Sequence, residues 1–305
     1  MYELSCRAHP SGKGLTPVAP VDGSLDPAAS ARGQWIVFIH GFNNSLKRAG
    51  GTWRETTLKL GSKHGVTLDS VILFYWPGDY SLSRICSAMN YPRTVPIAEE
   101  TARHLSEYIS RVAVQRSVPL ELSFVAHSLG ALVVLETCRL LGNAHANVSV
   151  VDMLLMAAAV PEGFCVEGEP YGRCFSSTSH EAVLHSLDDK ALKWFFQVGQ
   201  EIAQRFPAKR RRAVGRTGGP GAGVGQRWQM SQHMEGFGHG DYWRSDESIK
   251  EIARVVDPPK MREAEAKLRS DAIRDDAVPT DACEVDVIAP EIILPWLARV
   301  RDHDR

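Results

Sequence analysis

Nowhere among the 305 residues do apolar side chains run far enough to cross a bilayer. The longest such stretch, Val148 to Val160, is interrupted by Asp152 and falls short of the about 20 residues that a membrane helix needs. An excess of either charge is also missing: Lys and Arg total 35, Asp and Glu 36, and the net charge is −1. Nothing global therefore steers the chain to nucleic acid or another polyanion. The first residues, Met1 to Arg7, lack the apolar core of a secretory signal, so the expectation is a cytoplasmic protein with no integral membrane segment. Cysteine is sparse, six in all; only Cys165 and Cys174 share a loop, with no matching Cys or His pair nearby to complete a metal site. They read as ordinary thiols, and no metal or cofactor is called for. A chain of this length buries a sizeable core without staples, most simply as one large α/β domain with tails.

The informative stretch is 119–141. Leu120 to Val125 alternates as a buried strand does, whereas Leu132, Leu135, Arg139 and Leu140 fall at helical spacing. Between them stands Ala126-His127-Ser128-Leu129-Gly130, too short for anything but a sharp turn. Such a turn holds Ser128 strained, with its hydroxyl at the strand tip, and needs small residues such as Ala126 and Gly130 where strand and helix nearly touch. This is a G-x-S-x-G nucleophile turn with alanine in the first position. A serine hydroxyl is a poor nucleophile, so it needs a base in reach, an acid to hold that base, and N–H groups for an oxyanion. The Leu129 N–H, at the start of the helix, is placed to be one of them.

Residues 1–34 contain a Pro-, Gly-, Ser- and Ala-rich segment without periodicity and read as an extended lead-in. Trp35 to Ile39 is a continuous apolar run of the kind found in central parallel strands, ending at His40-Gly41-Phe42-Asn43-Asn44. Ligands of open α/β sheets bind at the carboxyl ends of strands, and Gly41 lets the backbone turn there, which makes the Phe42 N–H the second candidate oxyanion donor. A helix is expected over Thr52 to Leu60 and a strand over Ser70 to Tyr75. A loop over an apolar pocket is expected across 79–94, then a helix starting at Thr94 and Pro96. Further strands are expected at Val148 to Ala157, Glu181 to Leu187 and Trp228 to Met234, with a helix opening at Asp188-Asp189-Lys190-Ala191-Leu192 and another through Ile249, Ile252 and Val255. One of the two aspartates suffices to cap the first of these helices. The other is free for chemistry. The run 207–227, rich in glycine and carrying Lys209 to Arg212, reads as a flexible basic insertion, and 257–305 as a tail packing on a domain of 35–256.

Strands alternating with helices argue a doubly wound, mostly parallel sheet with helices on both faces. With a nucleophile turn in such a sheet, the chain order is serine, acid, histidine. That order removes every histidine up to His127; His145, His180 and His185 precede or share the acid's strand, and His303 lies at the chain end. His233 and His239 remain. His239, between Gly238 and Gly240, has the freer backbone.

Five motifs together carry a more specific resemblance: Ile39-His40-Gly41-Phe42-Asn43-Asn44-Ser45, Tyr75-Trp76-Pro77, Ala126-His127-Ser128-Leu129-Gly130, Asp189-Lys190-Ala191-Leu192 and His239-Gly240-Asp241-Tyr242-Trp243. In order and spacing they resemble alpha/beta hydrolases, and most of all the bacterial subgroup of unknown function with H-G-F-N, W-P, H-S-M-G, D-x-A-L and H-x-Y-Y. The resemblance covers roughly 35–256. It implies an alpha/beta hydrolase fold, Ser128, Asp189 and His239 as a triad, and Phe42 and Leu129 as oxyanion donors. Asp188 is then left as the helix cap. The function implied is a serine esterase of lipase-like type acting on small-molecule or lipid-like esters through an acyl-enzyme. An acyltransferase on the same triad, and a catalytically silent interaction module of the same fold, stand as alternatives.

Overall fold

The computed structural model of the chain describes residues 1–8, 14–30, 32–79, 84–142, 147–176, 178, 180–196, 212–219 and 230–259. The chain divides into two units, Met1–Arg262 and Glu263–Arg305, and every described residue belongs to the first. The tail expected to pack on the domain therefore lies outside the described residues from position 260 onward.

Eight strands form one sheet: β1 (Tyr2–Arg7), β2 (Leu15–Pro20), β3 (Gln34–Ile39), β4 (Val71–Tyr75), β5 (Leu120–His127), β6 (Val148–Met156), β7 (His180–His185) and β8 (Met230–His233). Their order is β2-β1-β4-β3-β5-β6-β7-β8, and all neighbours are parallel except β1 and β2. The central strands are buried along almost their whole length, β3 from Trp35 to Ile39 and β4 throughout. That is why they read as unbroken apolar runs rather than alternating ones. The main helices are α1 (Leu46–His64), α2 (Arg84–Val114), α3 (Gly130–Gly142) and, beyond two short ones, α4 (Gly172–Ser176) and α5 (Val214–Thr217), the closing α6 (Asp246–Val256). Parallel crossovers are right-handed. From β3 the chain crosses to β4 on one side and from β4 back past β3 to β5 on the other, which puts α1 and α2 on opposite faces. Accordingly α1 packs with α6, and α2 with α3. Among the described residues no helix is long and apolar enough to cross a membrane.

Three expectations are corrected. The lead-in over 1–34 carries β1 and β2, and β1 joins the sheet through parallel pairing with β4; Cys6 and Leu4 are buried there. Its composition hid this, because the pairing of β1 with β2 and β4 is made by backbone groups whatever the side chains. The loop expected across 79–94 is helical from Arg84, so α2 begins ten residues before the predicted Thr94 and runs through Pro92 and Pro96. Proline favours a helix's first turn, which is why the start was placed there. Finally, the flexible insertion over 207–227 is in part fixed: Ala213 bridges to Pro161, and the Val214 and Gly215 N–H groups donate to Val160 and Ala158 oxygens, each at 2.9 Å. Positions 207–211 and 220–227 of that insertion, including Lys209 to Arg211, lie outside the described residues.

The central sheet holds its next layer at minimal distance. A Cβ on Gly130, at the start of α3, would stand 2.6 Å from the His40 oxygen and 2.9 Å from that of Ile39. Gly51, inside α1, has nothing within 4 Å of such a Cβ. Gly130→Ala is therefore expected to lower the unfolding free energy by about 1–3 kcal/mol through overpacking. Gly51→Ala is expected to raise it by about 0.5–1 kcal/mol through helix propensity. Urea unfolding of the two variants beside the parent measures both, and equal effects would contradict the close approach.

Candidate active site

Strand order reverses between β3 and β5, and the crevice at a reversal point is where an open α/β sheet gathers its functional groups. The carboxyl ends of those two strands bring together His40-Gly41-Phe42 and His127-Ser128-Leu129. Ser128 has φ of +55°, a left-handed conformation that costs a non-glycine residue about 1–2 kcal/mol. It is held by its N–H, which donates to the Met156 oxygen at 2.9 Å, and by its carbonyl, which accepts from Ala159 at 3.0 Å.

Ser128 Oγ lies 2.8 Å from His239 Nε2, and His239 Nδ1 lies 2.7 Å from Asp189 Oδ2. The carboxylate fixes the tautomer: Nδ1 carries the proton and donates to Asp189, leaving Nε2 to accept from the serine hydroxyl. Asp189 is completely buried, and its other oxygen accepts the Leu192 N–H at 2.9 Å. Burial by itself would raise this carboxyl, but the His239 hydrogen bond and charge, with the Leu192 N–H, hold it below the ordinary carboxylate range.

The two aspartates do not divide the work as expected. Asp189 both meets His239 and caps the following turn, while Asp188 accepts the Gly236 N–H at 3.0 Å in the loop that carries His239. Helix-cap statistics cannot see this, since the partner of Asp188 is 48 residues away. His233, the other candidate base, sits at the end of β8 beside His185, their ring centroids 5.3 Å apart, and its Nε2 accepts from the Leu187 N–H. It makes no contact with Ser128.

Phe42 and Leu129 stand on the two facing turns. Among the described residues, neither backbone N–H has a hydrogen-bond acceptor. The turn bearing Phe42 must hug the serine: a Cβ on Gly41 would lie 2.7 Å from Ser128 Cβ and 2.9 Å from His127 Nδ1. Trp76 fixes this turn from behind, its Nε1 donating to the His40 oxygen at 2.7 Å and its ring stacking on His40 at 5.6 Å. His40 Nδ1 donates to the Gly41 oxygen, and its Nε2 accepts the Trp76 N–H. The Asn43 N–H donates to the Gly78 oxygen at 2.7 Å. The tryptophan-proline-glycine motif thus serves as the prop of the His40–Asn43 turn.

Sequence reasoning discarded His127 as a base, and it missed another role for that residue. His127 Nε2 donates to the backbone oxygen of His239 at 2.7 Å, and the two rings lie 4.9 Å apart. The residue before the serine therefore tethers the loop that carries the histidine beside it. Ser186 Oγ adds a second tether, donating to the Phe237 oxygen at 2.9 Å. Only the position of His127 beside Ser128 hinted at this.

A cavity of about 290 Å³ opens over Ser128 and His239, lined on its apolar side by Phe42, Tyr91, Leu192 and Phe196 and elsewhere by Asn43, Asn44 and Arg48. Tyr91 belongs to the stretch expected to cover an apolar pocket, although it does so from a helix.

A profile of the family described as "alpha/beta hydrolase of unknown function (DUF900)" matches residues 26–211. No curated protein sequence matches the chain. Among solved structures, the predicted CIB-like hydrolase of Thermoplasma acidophilum is similar over 78% of this chain and 89% of its own, with 16% identity and a TM-score of 0.38. The lin2722 product of Listeria innocua is similar over 74% of this chain and 94% of its own, with 8% identity and a TM-score of 0.42. At these scores neither likeness carries weight.

Two buried histidines give the site a pH signature. Desolvation lowers His40 to about 4 and His127 to about 3, with the charge of Arg7 adding to the first and that of His239 to the second. Unfolded, each titrates near ~6.5. Between about 6.5 and 4 the unfolded chain therefore binds protons that the folded chain does not, so stability falls as pH is lowered through that window. Urea unfolding between pH 7.5 and 5 is expected to show proton uptake on unfolding to which these two rings contribute up to one proton each, beside what His64 and His185, also lowered by burial, add. His127→Gln, which cannot titrate yet can still donate to the His239 oxygen, is expected to remove the share of its own ring. An unfolding free energy independent of pH in this range would contradict the burial of both as neutral rings.

Proposed function

This chain belongs to the alpha/beta hydrolases of unknown function (DUF900), and we propose that it is a serine hydrolase of carboxylic esters working through an acyl-enzyme. The observation that carries the reading is the unbroken line from Ser128 Oγ through the His239 ring to the buried Asp189 carboxylate, with links of 2.8 and 2.7 Å. In this reading Ser128 Oγ attacks the ester carbonyl carbon while its proton passes to His239 Nε2. Asp189 keeps the imidazole oriented and stabilises the imidazolium that forms. The carbonyl oxygen, now negative, is received by the N–H groups of Phe42 and Leu129. As the intermediate collapses, the carbon–oxygen bond to the alcohol breaks, and His239 returns its proton to the departing oxygen. The acyl group remains on Ser128. Water then attacks, giving its proton to His239; the Ser128 oxygen leaves, retakes that proton, and the free acid departs. An alcohol in place of water would make the same machinery an acyltransferase, and nothing in the cavity favours that course.

The apolar lining suits an acyl or alkyl group of modest size, which fits small-molecule or lipid-like esters. Against a silent interaction module stands the strain at Ser128, a left-handed serine at a strand tip that a chain without turnover has no reason to keep.

Ser128→Ala is expected to abolish hydrolysis of p-nitrophenyl butyrate and labelling by a fluorophosphonate, with a melting temperature close to that of the parent. Full activity in the folded alanine variant removes the reading. Asp189→Asn is expected to lower kcat by a factor on the order of 10⁴, since an amide in its place no longer favours the imidazolium. Asp188→Asn, at the loop tether, is expected to act far less on kcat. The reverse ranking of the two variants would exchange their roles.

A further inference from the structure

The lining of the cavity is chemically lopsided. Phe42, Tyr91 and Phe196 form an aromatic wall in edge-to-face contact, with ring centroids 6.2 and 6.1 Å apart. Arg48 is the only Lys, Arg, Asp or Glu that lines the cavity among the described residues. We infer that the site selects esters carrying a second group that is anionic, and that Arg48 is the residue that reads it. The inference rests on the serine esterase reading and names its substrate class.

The placement of Arg48 is unfavourable in the free protein. It stands in the first turn of α1, where Ser45 caps the helix by accepting the Arg48 backbone N–H, and that turn has no acidic residue. A helix N-terminus carries partial positive charge, so a cation there is repelled and an anion attracted. Lys47 beside it adds to the same field. Among the described residues, no carboxylate pairs with Arg48; its guanidinium donates only to the Asn43 oxygen, at a long 3.4 Å. Elsewhere Arg7, Arg103 and Arg139 each meet an aspartate or glutamate. An anionic group on the substrate reverses the sign of both interactions at once, meeting the guanidinium fork and the helix end together. The positive φ of Asn43, +60°, sets the turn that brings Phe42 and the Arg48 helix to the same cavity. The aromatic wall then takes the apolar part of the ester while the anion is held at the mouth, where Arg48 is exposed.

The test compares matched pairs: p-nitrophenyl hemiglutarate with p-nitrophenyl valerate, for an anion on the acyl side, and 4-acetoxybenzoate with its methyl ester, for one on the alcohol side. The parent enzyme is expected to prefer the charged member of at least one pair by about five-fold or more in kcat/KM, the worth of a good exposed ion pair. The preference is expected to weaken as salt is added. In Arg48→Gln the ratio of charged to neutral turnover is expected to fall to one or below, and Arg48→Lys to recover part of it. Arg54→Gln, on the same helix but outside the cavity, leaves the ratio at the parent's value. Turnover of the neutral esters with no charge preference in either pair overturns the role of Arg48 alone. So does a preference that survives in Arg48→Gln. The absence of any ester turnover overturns this inference together with the reading it rests on.

Discussion

The geometry of the site hangs on the closeness of two backbone turns at the carboxyl edge of the sheet. The turn after β5 holds Ser128 left-handed, and the turn after β3 passes so near that a Cβ on Gly41 would stand 2.7 Å from Ser128 Cβ. Behind them Gly130 lets α3 start against the His40 and Ile39 oxygens. Parallel pairing of β3 with β5, from Gln34 opposite Glu121 to Ile39 opposite Ala126, fixes the register in which the turns meet. Because packed interiors do not yield continuously, a side chain added at Gly130 displaces backbone, and one added at Gly41 displaces the Ser128 and His127 side chains themselves. Among the described residues the N–H groups of Phe42 and Leu129, one on each turn, meet no acceptor.

Around this pair of turns the histidines have distinct tasks, set by what each nitrogen meets. His40 is a structural spacer, donating to the Gly41 oxygen and accepting from Trp76. His127 is a tether for the loop that carries His239. His239 alone faces both a carboxylate and a hydroxyl. Burial keeps the first two neutral, so no second cation lies beside Asp189 to compete for its charge. The loop of His239 is held at four points: by His127, by Ser186, by Asp188, and by Asp241, which accepts the Gly238 N–H at 2.7 Å. A histidine on a glycine-rich loop is positioned only to the degree that such tethers outweigh its freedom.

The cavity inherits its composition from elements that never meet in sequence. Its aromatic wall comes from the turn after β3, from α2 and from the helical segment Ala191–Phe196 after β7, while its one Lys or Arg among the described residues comes from the first turn of α1. Apolar surface favours an acyl or alkyl group through water release, without direction. Orientation is left to the few polar groups on the lining, Arg48 among them.

What the sequence determined by itself is what short-range chemistry can encode. The buried parallel strands were legible because burial on both faces demands unbroken apolar runs, and the nucleophile turn because a strand, five tight residues and a helix admit one geometry. Ser128, Asp189 and His239 were legible too, though the choice between neighbouring aspartates and between two histidines came from a motif resemblance. Tertiary structure decided the rest. It gave β1 and β2 a place in the sheet, because strand pairing uses backbone groups whatever the composition. It carried α2 through two prolines that read locally as a helix start. It turned Asp188 from a cap into a loop tether, made His127 the anchor of the His239 loop, and fixed Ala213 to Gly215 within a run that looked uniformly flexible. Each of these depends on a partner far along the chain, and a hydrogen bond across that distance leaves no period, spacing or propensity in the sequence around either residue.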